Sequence, residues 1–229
     1  MRFFIEFNDP TMSPDQRTLE NAMKTLLNLN SSLFSTGGQS SRLAARFIEQ
    51  WRRENPDGQV IERDLARDPV PHLTAERFGA FLAKPEERTA EQQAIAGHSD
   101  ALIEELKAAD TIVLGLPMYN FGIPSTLKAY FDHVARAGVT FRYTEKGPVG
   151  LLTGKRVVVF ATRGGMYAGT PRDSQSVYVR DFFTFLGMAD VQFIYAEGLA
   201  MGDAPRTAAL AKAERSIDEF AFGKVAQAA

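Results

Sequence analysis

The sequence predicts an α/β fold, an open five-stranded parallel sheet with helices on both faces. Three observations carry this expectation. Short β-branched or apolar runs alternate with segments of helical period from Lys24 onward. Each of those runs is separated from the next by a stretch long enough for the crossover that parallel strands require. No internal repeat or interdomain linker interrupts the alternation. Right-handed crossovers then place helices on both faces.

The elements follow in order. Thr25-Leu26-Leu27-Asn28-Leu29-Asn30 is the first strand, ending in a polar loop from Ser31 to Ser41. Leu43, Phe47 and Trp51, flanked by Ala44 and Ile48, recur at helical spacing until Asn55-Pro56-Asp57-Gly58 stops the helix. Gln59 to Asp64 is a second, more exposed strand. Leu65 to Arg88, with Pro69, Pro71 and Pro85, reads as an irregular excursion. Thr89-Ala90-Glu91-Gln92 fits a capping box, and Ile95, Leu102, Ile103 and Leu106 continue its helix as an apolar stripe. The third strand begins at Thr111 and runs through Leu116, and Pro124 suits the first turn of the helix that follows.

Phe141 to Thr153, with Lys146-Gly147-Pro148, is a turn-rich insertion compatible with a hairpin. Arg156 to Ala161 is the fourth strand, Val177 to Leu186 a helix, Val191 to Ala196 the fifth strand, and Ala204 to about Lys224 a closing helix. Residues 23–229 are expected to form a single domain. Residues 1–22 do not complete a βα unit, and Met23 stands where a first strand of this type often begins. Two readings stay open: an upstream-start extension foreign to the native protein, or a genuine extension whose Phe3, Phe4, Ile5 and Phe7 pack on the domain or a partner.

Composition narrows the function classes. The 229 residues are 45% hydrophobic and 24% charged, with a net charge of −2 and no basic run, which gives no nucleic-acid footprint. There is no cysteine, so disulfides, thiolate catalysis and Cys-based metal sites are excluded, and redox chemistry needs a bound cofactor. The N-terminus lacks the apolar core of a secretory signal, and no apolar stretch approaches the ~18 residues of a membrane span. A cytoplasmic protein with no membrane partner is expected.

Three loops carry candidate chemistry. Ser31 to Ser41 holds five serines, one threonine and Gly37-Gly38 at a helix N-terminus, where hydroxyl and backbone donors and the helix dipole favour a phosphate. It matches neither G-x-G-x-x-G nor the P-loop pattern, which argues against dinucleotide binding and nucleotide hydrolysis and suits a terminal monophosphate such as that of FMN. Pro117-Met118-Tyr119-Asn120-Phe121-Gly122-Ile123-Pro124 follows the third strand and offers apolar contact and amide hydrogen bonds to a flat, partly polar ring. Its aromatics alone also read as ordinary core residues. Thr162-Arg163-Gly164-Gly165 follows the fourth strand. The glycines allow close approach to a planar ligand, and Arg163 offers a fixed positive charge suited to an anionic reduced flavin. By itself that loop reads as a turn with a solvated arginine.

All three loops fall at the carboxyl edge of one sheet, where open α/β sheets bind ligands. In strand order 2-1-3-4-5, the flavodoxin-like order, FMN sits between the first and third strands. His72, His98 and His133 lack metal-ligand spacing, so no metal is expected, and His98 and His133 read as surface or packing residues. Glu86-Glu87 and Glu104-Glu105 read as solvated charges, and no nucleophile elbow is present.

Taken together, Ser31-Ser32, Gln39-Ser40, Pro117 to Phe121, the run Ala135-Arg136-Ala137-Gly138-Val139-Thr140-Phe141-Arg142-Tyr143-Thr144 and Arg163-Gly164-Gly165 resemble the bacterial FMN-dependent NADH-azoreductases, also described as FMN-dependent NADH:quinone oxidoreductases. The similarity runs from about Met23 to the C-terminal helix. It implies a flavodoxin-like homodimer with one FMN per subunit, active sites at the subunit interface, and NADH or NADPH as donor to quinone or azo acceptors. By position, Ser32 and Gly38-Gln39-Ser40 would hold the phosphate and ribityl chain. Met118 to Phe121, with Pro117, would contact the ring, and Thr162 to Gly165 its other edge. Tyr143 and Phe185 match aromatic positions bordering the substrate space. Gly38 stands where Ser is common in the family, so a backbone N–H is expected to replace one phosphate hydroxyl. Thr162 stands where Ser is frequent, which keeps a hydroxyl. The resemblance leaves the chemistry to the flavin and implies no catalytic side chain. The alternative is a flavodoxin-like FMN electron carrier or redox-regulated binding protein without its own turnover, against which stand the near-neutral charge and the aromatic insertion.

Overall fold

A computed structural model describes residues 23–220. Its strands are β1 (Thr25–Asn30), β2 (Gln59–Asp64), β3 (Thr111–Pro117), β4 (Phe141–Thr144), β5 (Gly147–Gly150), β6 (Arg156–Thr162) and β7 (Asp190–Ala196). Its α-helices are α1 (Gln39–Glu54), α2 (Ala75–Leu82), α3 (Ala90–Ala108), α4 (Ser125–Val134), α5 (Ser174–Phe185) and α6 (Asp203–Asp218). Five strands pair in the order β2-β1-β3-β6-β7, all parallel. Counting only that sheet's strands, this is the expected 2-1-3-4-5 order.

Strand periodicity divides the core in two. Leu27 and Leu29 of β1 join Leu102 and Leu106 of α3, Phe131 of α4 and Phe183 of α5 on one face. Leu26 joins Phe47 and Trp51 of α1 and Ile217 of α6 on the other. The buried helical stripes at Leu43, Phe47 and Trp51 and at Leu102, Ile103 and Leu106 are those the spacing predicts. Thr89 and Gln92 form the expected capping box, with reciprocal bonds of 3.2 and 3.0 Å.

The structure differs from the sequence reading at α2, α5 and α6, and it bears out the hairpin. The excursion after β2 contains α2, capped by the Thr74 hydroxyl, which accepts from the Arg77 N–H at 3.3 Å. Its eight residues and flanking prolines gave too short a periodic signal. Helix α5 starts at Ser174 rather than Val177, because Asp173 caps it by accepting from the Ser176 N–H at 3.0 Å. The insertion is an antiparallel hairpin, with Phe141 opposite Gly150 and Thr144 opposite Gly147. The closing helix, expected to run to about Lys224, ends at Asp218 with Glu219 as its C-cap, and the expectations for residues 1–22 fall outside the described residues.

That hairpin is fixed by a contact only glycine permits. A Cβ on Gly150 would lie 2.0 Å from the Gly187 nitrogen and 2.1 Å from the Leu186 carbonyl carbon, both backbone atoms just beyond α5. The Leu152 N–H donates to the Leu186 carbonyl at 2.8 Å. Phe141 contacts Phe185 with ring centroids 4.4 Å apart and Tyr143 at 5.5 Å.

Among the described residues, no helix is long and apolar enough to cross a membrane, and no group of three or more His, Asp or Glu gathers into a metal site. His133 is fully buried, with Nδ1 2.9 Å from the Ala129 carbonyl, and burial holds its pKa below the ordinary imidazole value. It is a packing residue. His98 is exposed, although its ring meets that of His133 edge-on.

Candidate active site

The β1–α1 loop is braced from within. Asn30 Oδ1 accepts from the Ser32 N–H at 3.1 Å and lies 2.8 Å from the Ser41 hydroxyl, and the Ser31 hydroxyl donates to the Gly115 carbonyl at 2.6 Å. The Ser35 hydroxyl donates to the Asp64 carboxylate. Helix α1 then begins after Gly38, which provides no side-chain cap. The first-turn N–H groups of Gln39, Ser40 and Ser41 therefore receive no side-chain cap from the N-cap position, the arrangement that holds an anion.

Gly38 makes this loop possible. A Cβ there would lie 2.2 Å from Ser32 Oγ and 2.8 Å from Ser32 Cβ. The Gly38 N–H donates to the Ser35 carbonyl at 3.3 Å. Ser32 and Ser40 are both buried, and the Ser40 hydroxyl has no partner. It lies 3.6 Å from where a Gly115 Cβ would stand, so it points toward the sheet. Behind this loop, between α1 and β2, is a cavity of about 410 Å³ lined by Arg42, Glu49, Arg52 and Glu62, away from the other two loops.

The β3–α4 loop is a tight reversal. Tyr119 and Gly122 exchange two backbone bonds, of 3.2 and 3.0 Å, across Asn120 and Phe121, whose φ values are 49° and 66°. Positive φ at both central residues defines a type I′ turn, which favours Asn at the first position and Gly at the second. Phe121 therefore holds a strained conformation, at a cost of about 1–2 kcal/mol. Among the described residues the only other non-glycine with a left-handed backbone is Ser35, in the first loop. Strain of this kind concentrates where a surface is shaped for a ligand.

The third loop is organised by Arg163, and here the structure replaces both sequence readings of that residue. Its side chain is neither solvated nor aimed at a ligand. The residue is 1% exposed, and the guanidinium pairs with Asp173 at 2.7 Å and Glu197 at 3.1 Å. It also donates to Gln175 Oε1 at 3.3 Å and the Ser176 hydroxyl at 2.7 Å, and stacks over the Tyr195 ring. Two carboxylates balance its charge, so it supplies no free cation to the site. Burial alone would raise the Asp173 pKa, but the Arg163 guanidinium and the Ser176 N–H outweigh it and hold the carboxyl below its ordinary value. Glu197 in turn accepts from the Tyr167 and Ala168 N–H groups at 2.8 and 2.9 Å, tying down the loop beyond Gly165.

Cross-links make the three loops one surface. The Leu33 N–H donates to the Tyr119 hydroxyl at 3.2 Å, joining the first loop to the second. The Met118 N–H donates to the buried Thr162 carbonyl at 3.0 Å, and the Phe121 and Tyr167 rings meet edge-on at 5.6 Å, joining the second to the third. Ser32, Gly38 to Ser40, Pro117 to Phe121 and Thr162 to Gly165 thus all belong to one linked edge of the sheet. Tyr143 and Phe185 do not. They meet each other through Phe141 at the carboxyl end of α5, whereas the Ser174 hydroxyl at its amino end donates to the Phe121 carbonyl at 2.8 Å. Eleven residues of helix separate the two places, roughly 16 Å along the axis.

Sequence reasoning missed Asp173, Ser174, Gln175 and Glu197, which hold the second and third loops. The pattern Asp173-Ser174-Gln175-Ser176 is a helix N-cap signal and marks three of them. Glu197 has no local signal, because its partners lie across the fold.

This edge can be set beside known proteins. Residues 23–221 match the family described as flavodoxin-like fold. The chain is 59% identical over 192 residues to the FMN-dependent NADH:quinone oxidoreductase of Cellvibrio japonicus, covering 84% of this chain and 96% of that protein. It is 55% identical over 195 residues to FMN-dependent NADH:quinone oxidoreductase 6 of Burkholderia lata, covering 85% and 98%. Among solved structures, an FMN-dependent NADH-azoreductase of Bacillus anthracis in complex with FMN superposes with a TM-score of 0.77 at 31% identity, over 86% of this chain and 96% of that one. With this sheet order, this loop edge and these relatives, the chain belongs to the flavodoxin-like family of FMN-dependent NADH:quinone oxidoreductases and NADH-azoreductases.

Proposed function

We propose that this protein is an FMN-dependent oxidoreductase that carries electrons from NADH or NADPH to quinones and azo compounds in a ping-pong cycle. The observation that carries the reading is the linked edge itself. An uncapped helix N-terminus, a strained apolar turn and a Gly-Gly loop are stitched into one surface at the switch point between β1 and β3. Bound FMN supplies the two-electron chemistry, with donor and acceptor using the same space in turn.

The chain's residues bind and orient. First-turn N–H groups of Gln39 and Ser40, with the loop from Ser32 to Gly38, hold the phosphate and ribityl end. Pro117 and Met118 to Phe121 bear on the ring, and Thr162, Gly164 and Gly165 on its other edge. Arg163 acts through the carboxylates that fix that loop, not through contact. No side chain is assigned as acid or base.

Tyr143 and Phe185 belong to the substrate space of a homodimer in this reading. Within one chain they stand at the far end of α5 from the ring turn. Tyr143 is 74% exposed, so the hairpin presents an aromatic ring to solvent in one chain. A second copy packed against the hairpin would bring its aromatics to the partner's ring turn. One FMN-binding domain over residues 23–229 and a cytoplasmic location go with this function.

A steady-state panel of both nicotinamides against a quinone and an azo dye, on FMN-saturated protein, tests the activity. Turnover with at least one pair is expected, whereas FMN binding without turnover would identify an electron carrier. The ring assignment has its own test. Asn120→Ala loses an amide and forces alanine into a left-handed conformation, so FMN should bind roughly tenfold more weakly. Tyr143→Ala should leave FMN binding closer to wild type. Equal retention in the two variants would remove Asn120 from the ring site.

A further inference from the structure

The turn that presents Met118 to Phe121 is unfavourable on its own, and three of its surrounding carbonyls face the start of α5. Gln175 Nε2 donates to the Pro117 carbonyl at 2.9 Å and the Gly122 carbonyl at 3.2 Å, while the Ser174 hydroxyl takes the Phe121 carbonyl. The other end of the same carboxamide, Oε1, accepts from Arg163 Nε. This fixes the amide's orientation, because a guanidinium N–H can only donate and a carbonyl can only accept. No other side chain of this size offers two donors to one loop and an acceptor to an arginine. Gln175 is 1% exposed, so its amide bonds are shielded from bulk water.

We propose that Gln175, oriented by Arg163, is the positioning residue that holds the strained Tyr119–Gly122 turn in the conformation that receives the flavin ring. The assignment rests on that turn being the ring site. Arg163 thereby serves both loops, the third through Asp173 and Glu197 and the second through Gln175. Loss of the clamp lets the turn relax away from its left-handed geometry, and the ring loses its platform although every contacting residue is still present.

The test is a double-mutant cycle read in FMN affinity and in the visible spectrum of the bound flavin. Gln175→Ala should weaken FMN binding at least about tenfold, the size expected for two lost buried hydrogen bonds, and should shift the bound-flavin absorption. Gln175→Glu keeps the acceptor for Arg163 but turns a carboxylate on two carbonyls, so it should do the same; it carries the test if the alanine variant does not fold. Phe121→Gly removes the strain, because glycine adopts positive φ freely. In that background Gln175→Ala should cost no more than roughly threefold, a coupling that a merely structural glutamine would not show. Wild-type affinity and spectrum in the Gln175 variants, or an equal loss in both backgrounds, would overturn the clamp alone. Wild-type protein that takes up no FMN would overturn the proposed function and the clamp together.

Discussion

Arg163→Met should lower the unfolding free energy by about 3–5 kcal/mol, the cost of stranding buried charge. The methionine fills much of the arginine's volume but leaves Asp173 and Glu197 buried without their cation. Asp173 keeps Ser176 as donor, and Glu197 the Tyr167 and Ala168 N–H groups, none of them charged. For a domain of this size the loss corresponds to a fall in melting temperature of roughly 10 °C. Arg163→Lys should fall between, since one ammonium cannot fork to both carboxylates and also donate to Gln175. The Asp173 pKa is lowered in the fold, so the stability it contributes is fully present above the ordinary carboxylate range and is lost as pH falls through the lowered value. The deficit of the methionine variant should therefore narrow in acid. Melting curves across pH check both statements, and a near wild-type melting temperature at neutral pH would contradict them.

Gly150→Ala should have the second large effect, of a different kind. The added methyl meets backbone at Leu186 and Gly187, which cannot rotate away as a side chain would. Either the hairpin lifts or the end of α5 shifts, at a cost of about 1–3 kcal/mol or more. The displaced residues are Phe141, Tyr143 and Phe185, not the loops at the opposite end of α5. The expected signature is a several-fold rise in acceptor KM that exceeds any change in FMN affinity. Unchanged melting temperature and unchanged KM would show that the chain accommodates the methyl, and the hairpin's proposed place in the substrate space would lose its support.

The two effects also mark how far the sequence could be read. Strand order and both core stripes follow from local periodicity, which is why Leu43-Phe47-Trp51 and Leu102-Ile103-Leu106 sit where spacing puts them. The composition of the three loops was legible because strand ends bracket them. Conformation was less so: Pro117 and Pro124 mark a turn, but nothing local says that Phe121 takes a position glycine prefers. Least legible was Arg163. Its charge suggests a ligand, and its neutralisation depends on Asp173, ten residues on, and Glu197, thirty-four residues on, which meet only once β6, α5 and β7 have assembled. The three-residue error at the start of α5 hid Gln175 for the same reason, since a cap is recognised by its bond, not by its spacing alone.

The central claim is that FMN held at the β1, β3 and β6 loop edge accepts electrons from a nicotinamide and passes them on. Anaerobic mixing of FMN-loaded protein with NADH or NADPH, followed by removal of the nucleotide and addition of a quinone, tests it most directly. Bleaching of the bound flavin without any acceptor, then recovery of its colour on quinone addition, is the predicted result. Protein that holds a full complement of FMN and is bleached by neither nicotinamide would contradict the account.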